Sequence, residues 1–167
     1  MSTPDLEEAL RCSEEFAARL VESSRDCIKI LDLKGHLLSI NAHGVTALEL
    51  YDVGSLVGSP WVEIWEGEDR ASAKAAIEQA RQGMQGRFTG YFPTRQTHTP
   101  KWWDVSVTAI LDRDGKPEKF LAVSRDVTEL KQAEQSLRQS HEQLEHRVAA
   151  QNGGTIAGQR RSLRQVS

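Results

Sequence analysis

The chain predicts an α+β domain on a five-stranded antiparallel sheet, with one helix before it and one after. Three observations carry this. Alternating apolar and polar residues, the strand period, occupy the middle of the chain in one group of two stretches and one of three. Apolar residues three and four apart, the helix period, lie between those groups and at both ends. Turn sequences, DLKG at 32–35 and DRDGKPE at 112–118, join neighbouring strands as hairpins do.

Residues 4–23 form the first helix. Thr3 stands at its N-cap and Pro4 in its first turn, and Leu6, Ala9, Leu10, Phe16, Ala17 and Leu20 make an apolar stripe. CIKILDLKGHLLSIN (27–41) is a hairpin whose first strand carries Ile28 and Ile30 on one face. Residues 42–56 are short and helical in pattern, closing at Gly58-Ser59-Pro60, after which WVEIW brings Trp61, Ile64 and Trp65 to one side. GEDRASAKAAIEQARQG (67–83) is a helix, with Glu68 and Asp69 at the end its dipole favours and Gly83 as its stop. Pro93 in RFTGYFPTR (87–95) lacks an amide proton and marks an edge strand. In KWWDVSVTAIL (101–111), Trp103, Val105, Val107 and Ala109 share one face; KFLAVSR (119–125) is the last strand.

At RDVT (125–128) the strand period gives way to the helix period with no loop between. Asp126 and Glu129, three apart, resemble a capping box. Val127, Leu130, Leu137, Leu144 and Val148 then follow a heptad seam, interrupted by Glu134 and His141, which predicts a loosened two-stranded coiled coil. From residue 152 the periodicity is lost and Arg160, Arg161 and Arg164 appear, so a disordered tail is expected over 152–167. The expected organisation is a helix at 1–24, a sheet domain at 25–127, a coiled-coil helix at 128–151 and that tail.

Composition narrows the function. A net charge of -3 gives no global field for nucleic acid, and the tail's three arginines have no aromatic residues between them. No run reaches the ~20 apolar residues of a membrane span, and the acidic, polar MSTPDLEEAL is unlike a signal peptide. Two isolated cysteines, Cys12 and Cys27, fit neither a metal cluster nor a disulfide framework, and both read as small core residues in a reducing cytosol. No phosphate loop, nucleophile elbow or metal-ligand spacing is present. The carboxylates Glu63, Glu66, Glu68 and Asp69 gather at a helix start, where the dipole explains them.

ILDLKGHLLSIN, LVGSPWVEIW, WWDVSVTAILDRDGK and FLAVSRDVTELKQAEQSL, in that order, resemble a PAS domain with its C-terminal PAC motif, over about residues 25–130. The most specific piece is SRDVTE entering a helix. The resemblance implies strand order 2-1-5-4-3, helices enclosing a small cavity on one face, and a sensory or dimerisation module of bacterial histidine kinases, cyclases or related regulators. Members that form a flavin–cysteine adduct carry their cysteine where this chain has Val62. Trp103 and Ser124 stand where those members have an asparagine and a glutamine, so that photochemistry is not expected. Haem-binding members place a histidine on the helix matching 68–82; here His36, His43, His98, His141 and His146 all lie elsewhere, so haem is not expected either.

The expected cavity lining is Ile28 or Ile30, Leu48, Trp61, Ile64, Trp65, Ile77, Trp103, Val105, Val107, Phe120 and Ala122, with Asn41 and Ser124 as polar contacts. Two readings stay open: these side chains fill the core, with Asn41 only capping the helix that begins at Ala42, or they hold a small organic ligand. Arg125, Asp126 and Thr128 are the expected signalling junction, and Leu6, Leu10 and Leu20 with Leu130, Leu137, Leu144 and Val148 the expected dimer seam. His141-Glu142 matches the first two residues of a kinase phosphoacceptor box before the likeness fails, so His141 reads as a polar seam residue. The expectation is a non-catalytic, cytoplasmic, homodimeric sensory module. It would pass a signal from its core to its C-terminal helix and on to a downstream kinase or other effector. Any kinase or cyclase activity would lie in that partner or in a further segment. The alternative is a ligand-free dimerisation or docking domain.

Overall fold

The computed structural model describes residues 2–164, with side chains described through Gly153. It divides into two units, 1–128 and 129–167. In the first, α1 (Thr3–Ser23) leads into β1 (Cys27–Leu31) and β2 (Leu37–Ile40), then α2 (Ala42–Ala47), a 3-10 turn (Trp61–Ile64) and α3 (Gly67–Arg81). β3 (Gly86–Tyr91), β4 (Trp102–Leu111) and β5 (Pro117–Asp126) complete a sheet of order 2-1-5-4-3, every neighbouring pair antiparallel. This is the PAS arrangement, with β3 on an edge; the strand stops at Tyr91, so Pro93 lies just past the ladder.

Alternation decides the core. β4 buries Trp103, Val105 and Val107, and β5 buries Phe120, Ala122 and Ser124. α3 turns Ala73, Ala76, Ile77 and Ala80 onto that face. Trp61 and Trp65 pack edge to face at 6.1 Å between ring centroids, and Trp65 meets Phe88 at 5.1 Å.

Four local expectations are corrected. Cys12, expected in the core, is exposed on α1, which buries none of its residues, while Cys27 is buried. Ser2 rather than Thr3 caps α1: its N–H and hydroxyl both donate to Asp5 Oδ2, at 3.0 and 2.6 Å. The helix after Asn41 ends at Ala47, and the chain to Pro60 is a series of turns, because Gly54 and Gly58 sit in it and Gly58 has φ 86°. α4 runs from Thr128 to Arg164, so the backbone of 152–164 is helical where a disordered tail is expected; 165–167 lie outside the described residues.

The outer face of the sheet carries a charge ladder. Asp104 on β4 accepts two bonds from Arg87 on β3, at 3.0 and 2.6 Å. Its register partner on β5, Arg125, donates at 3.1 and 3.0 Å to Asp26, the residue before β1. Hydrogen bonding from Arg87, with the charges of Arg87 and Arg125, outweighs burial and holds the Asp104 carboxyl below its ordinary value. A depressed folded value means stability present above the unfolded carboxylate pKa of about 3.9 and lost as pH falls below it toward the folded value. Asp104→Asn is therefore expected to flatten the acid limb of a melting-temperature-against-pH profile. It should cost little at pH near neutral beyond the exposed pair itself. An unchanged acid limb would remove this group as a cause.

Candidate functional site

The first unit holds a small, partly open cavity of about 30 Å³ lined by Lys29, Leu37, Ile40, Leu48, Leu50, Leu56, Ser59, Trp61, Ile64, Phe92 and Arg95. Of the expected lining, Leu48, Trp61 and Ile64 reach it. Trp65, Ile77, Trp103, Val105, Val107, Phe120 and Ala122 belong to the packed core beside it.

Ile30 is a correction. Cys27, Lys29 and Leu31 face inward on β1, while Ile28 and Ile30 lie half-buried on the outer face. Pairing with β5 forces this: Cys27, Lys29 and Leu31 stand opposite Ser124, Ala122 and Phe120, the buried set of that strand. The residue that sequence reasoning missed is thus Lys29. A lysine at the middle of an alternating strand was its only signal, and it reads by default as solvent-facing. Phe92 and Arg95 were missed because they come from the irregular segment after β3, which has no period to read.

Lys29 is 4% exposed. Its Nζ donates to Cys27 Sγ at 3.0 Å and to Ser124 Oγ at 3.3 Å, so Ser124 meets the lysine rather than the cavity. Asn41 is buried and does not line the cavity. Its Oδ1 accepts from Ile28 N at 2.9 Å and, as the cap of α2, from Gly44 N at 3.1 Å. Its Nδ2 donates to Val21 O and Asp26 O. The indole N–H groups of Trp61 and Trp65 are buried without an acceptor.

A wider recess of about 580 Å³ lies outside the cavity, against the start of α3 and the loop after β3. Ile64, Phe92 and Arg95 line both spaces and so form the wall between them. Glu66 and Asp69 also line the recess, Asp69 already accepting from Tyr91 N at 2.9 Å. Among the described residues no cluster of three metal-ligating side chains occurs, and no helix is long and apolar enough to cross a membrane.

The expected junction residues come together at the end of β5. Asp126 accepts from Lys101 through Oδ2 and from the Thr128 N–H and hydroxyl through Oδ1. The Thr128 hydroxyl oxygen accepts from Trp102 N at 3.0 Å, and Val127 N donates to Trp102 O at 2.9 Å. Burial pushes the Asp126 carboxyl up, but Lys101 and the two Thr128 donors together bring it below its ordinary value. The expected seam residues are exposed: Leu6, Leu10 and Leu20 on α1, with Phe16 beside them, and Leu130, Leu137, Leu144 and Val148 on α4.

Solved structures share this architecture. A PAS domain of an HTR-like protein from Haloarcula marismortui is 22% identical, covers 74% of this chain and 98% of its own, and superposes with a TM-score of 0.58. A domain of a sensory box sensor histidine kinase/response regulator from Geobacter sulfurreducens is 26% identical over 70% of this chain and 96% of its own, with a TM-score of 0.57. An RNA-binding light-oxygen-voltage receptor is 16% identical, with a TM-score of 0.65 over 77% of this chain and 37% of its own length. No curated protein matches the sequence. The sequence model of the PAS fold family matches residues 21–132, more than half the chain, from the end of α1 through all five strands into α4. The chain belongs to the PAS fold family.

Proposed function

We propose that the chain is a non-catalytic sensory module that works as a homodimer, relays a change in its interior to α4, and acts on a downstream kinase or other effector in the cytoplasm. The observation that carries the reading is the junction. Only Val127 separates β5 from α4, and the polar groups around it are engaged: Asp126 with Lys101 and Thr128, Val127 and Thr128 with Trp102. A loop would absorb a displacement of the strand; a bonded junction passes it on. The apolar stripes of α1 and α4, exposed in a single chain, and the half-buried Ile28, Ile30, Leu121 and Val123 on the outer sheet face supply surface for a second copy. The likeness to a domain of a sensory box sensor histidine kinase/response regulator supports the sensory part.

A spin label at Ser140→Cys, in a Cys12→Ser background, reads the coupling by pulsed dipolar spectroscopy across the dimer. The intact junction is expected to give a narrow distance distribution. Asp126→Ala should broaden it at a stability cost of only about 1 kcal/mol. A monomer in solution, or a distribution that Asp126→Ala leaves unchanged, would remove the relay.

The small cavity favours a second reading, a ligand-free dimerisation or docking domain. Native mass spectrometry of the chain as purified separates the two, since a retained small molecule supports sensing and a clean apo dimer supports scaffolding.

A further inference from the structure

We propose that Cys27 and Lys29 form an oxidation-sensitive pair: a small peroxide converts the Cys27 thiol to a sulfenic acid, and the Lys29 amine captures it as a sulfenamide, a covalent S–N bond. The inference goes beyond the sensory reading and depends on it only for what the bond would trigger. Strand alternation puts the two residues on one face of β1, and the lysine folds back until its Nζ donates to Cys27 Sγ at 3.0 Å. That separation lies inside the sum of the van der Waals radii of nitrogen and sulfur. Lys29 is 4% exposed and Cys27 1%, so the two atoms meet in the packed interior rather than in solvent. No carboxylate lies within 4 Å of the lysine among the described residues, and its other partner, Ser124 Oγ, stands farther off at 3.3 Å. No acidic group therefore competes with sulfur for the nitrogen.

The chemistry closes with one equivalent of hydrogen peroxide. Sulfur takes one peroxide oxygen as the O–O bond breaks, and the other oxygen leaves as water with the thiol proton. Sulfur is thereby oxidised by two electrons and the peroxide reduced by two. The lone pair of the free amine then forms the S–N bond as the S–OH bond breaks. The departing hydroxide takes a proton from nitrogen and leaves as a second water, with no further change of oxidation level. Sulfenic acids condense with thiols and with backbone nitrogen, and here a side-chain nitrogen is already in contact. A dithiol reverses the bond, returning thiol and amine as it becomes a disulfide.

The setting of the sulfur favours capture over further oxidation. A Cβ built on Gly44 would lie 2.6 Å from Cys27 Sγ, so the first turn of α2 rests directly on the sulfur. A sulfinic acid needs room there for two oxygens; the sulfenamide needs none beyond the lysine already present. The oxidant must be small to arrive. Lys29 lines the partly open cavity of about 30 Å³, room for a water or a peroxide and little more. Ser124 stands opposite Cys27 in the β1–β5 register, two residues before Asp126. Drawing Nζ onto sulfur takes a donor from Ser124, so the bond acts on the strand that leads to α4.

The test treats the full chain carrying Cys12→Ser, in which Cys27 is the only thiol, with hydrogen peroxide in modest excess, and maps its tryptic peptides without reductant. The expected product is a peptide spanning 26–34, uncut after Lys29 and about 2 Da lighter than its sequence. Dithiothreitol added before digestion is expected to abolish it and restore cleavage after Lys29. Lys29→Leu, which offers peroxide no sulfur of its own, is expected to lose the product. Cys27 still a free thiol at a peroxide dose that oxidises Cys12 in the unaltered chain would overturn the pair. So would Cys27 found as a sulfinic acid with Lys29 cut normally, or the same mass loss surviving Lys29→Leu. Should Lys29→Leu fail to fold, the peptide map of the chain that keeps Lys29 decides alone. The map reads bond formation and not coupling, so failure of the relay leaves its outcome intact, and an absent bond leaves the spin-label result standing.

Discussion

Replacing Asn41 with alanine is expected to lower the unfolding free energy by about 3 to 4 kcal/mol, because one buried amide closes four hydrogen bonds that nothing nearby replaces. Its oxygen takes the Ile28 and Gly44 N–H groups, and its nitrogen serves the Val21 and Asp26 carbonyls. Those four groups belong to the end of α1, both sides of the entry into β1, and the first turn of α2. The side chain is 2% exposed, so in alanine's place water has poor access to them. For a chain of this size the loss corresponds to a fall in Tm of roughly 6 to 16 °C. Urea titration should move the midpoint and leave the slope unchanged. Asn41→Asp separates the two halves of the effect: it keeps the accepting oxygen and turns a second one toward two carbonyls. It should therefore also destabilise, and increasingly so as the carboxyl ionises. A cost below about 1 kcal/mol for Asn41→Ala would mean that the four groups find other partners.

That same residue shows how far a sequence can be read. Its cap of α2 was legible, since an asparagine directly before a helical run has few other reasons to be there. Its reach to Val21 and Asp26 was not, because those contacts depend on where α1 ends in space. The sheet was legible for a related reason: Trp103, Val105 and Val107 alternate with polar residues over a long strand, and only one face of that strand can be the core. β1 offered no such contrast. Ile28 and Ile30 are the more apolar pair, yet the register with β5 turns Cys27, Lys29 and Leu31 inward, and a flexible lysine stem tolerates the interior that its charge opposes. Apolarity ranks the faces of one strand; pairing chooses between them. The cavity suffered most from this, since Lys29 and Arg95 are its two cations and neither lies on a pattern that points inward.

The approach of α3 to β3 sets the second large effect. A Cβ built on Gly86 would lie 2.2 Å from the Ala76 carbonyl oxygen and 2.4 Å from its Cα. These are backbone atoms in the middle of a 15-residue helix, so no side-chain rotation relieves the clash. Either α3 or the paired edge of the sheet must move, and Gly86 is held opposite Val107 in the ladder. Gly86→Ala is therefore expected to cost about 3 kcal/mol, at the upper end for overpacking. The small faces of Ala73, Ala76 and Ala80 explain why the helix comes so close: without longer side chains between them, backbone rests nearly on backbone. A helix pushed outward would also loosen Trp65, whose ring lies across Gly90 of the same strand and against Phe88. Near-UV circular dichroism should accordingly lose tryptophan signal before the far-UV signal falls. Gly58→Ala is the matched comparison. It has a positive φ of 86° and open space around it, so its cost is backbone strain alone, about 1 to 2 kcal/mol. If Gly86→Ala proves no worse than Gly58→Ala in urea titration, the α3–β3 contact yields to a methyl group, and close packing of these backbones is not what fixes the helix on the sheet.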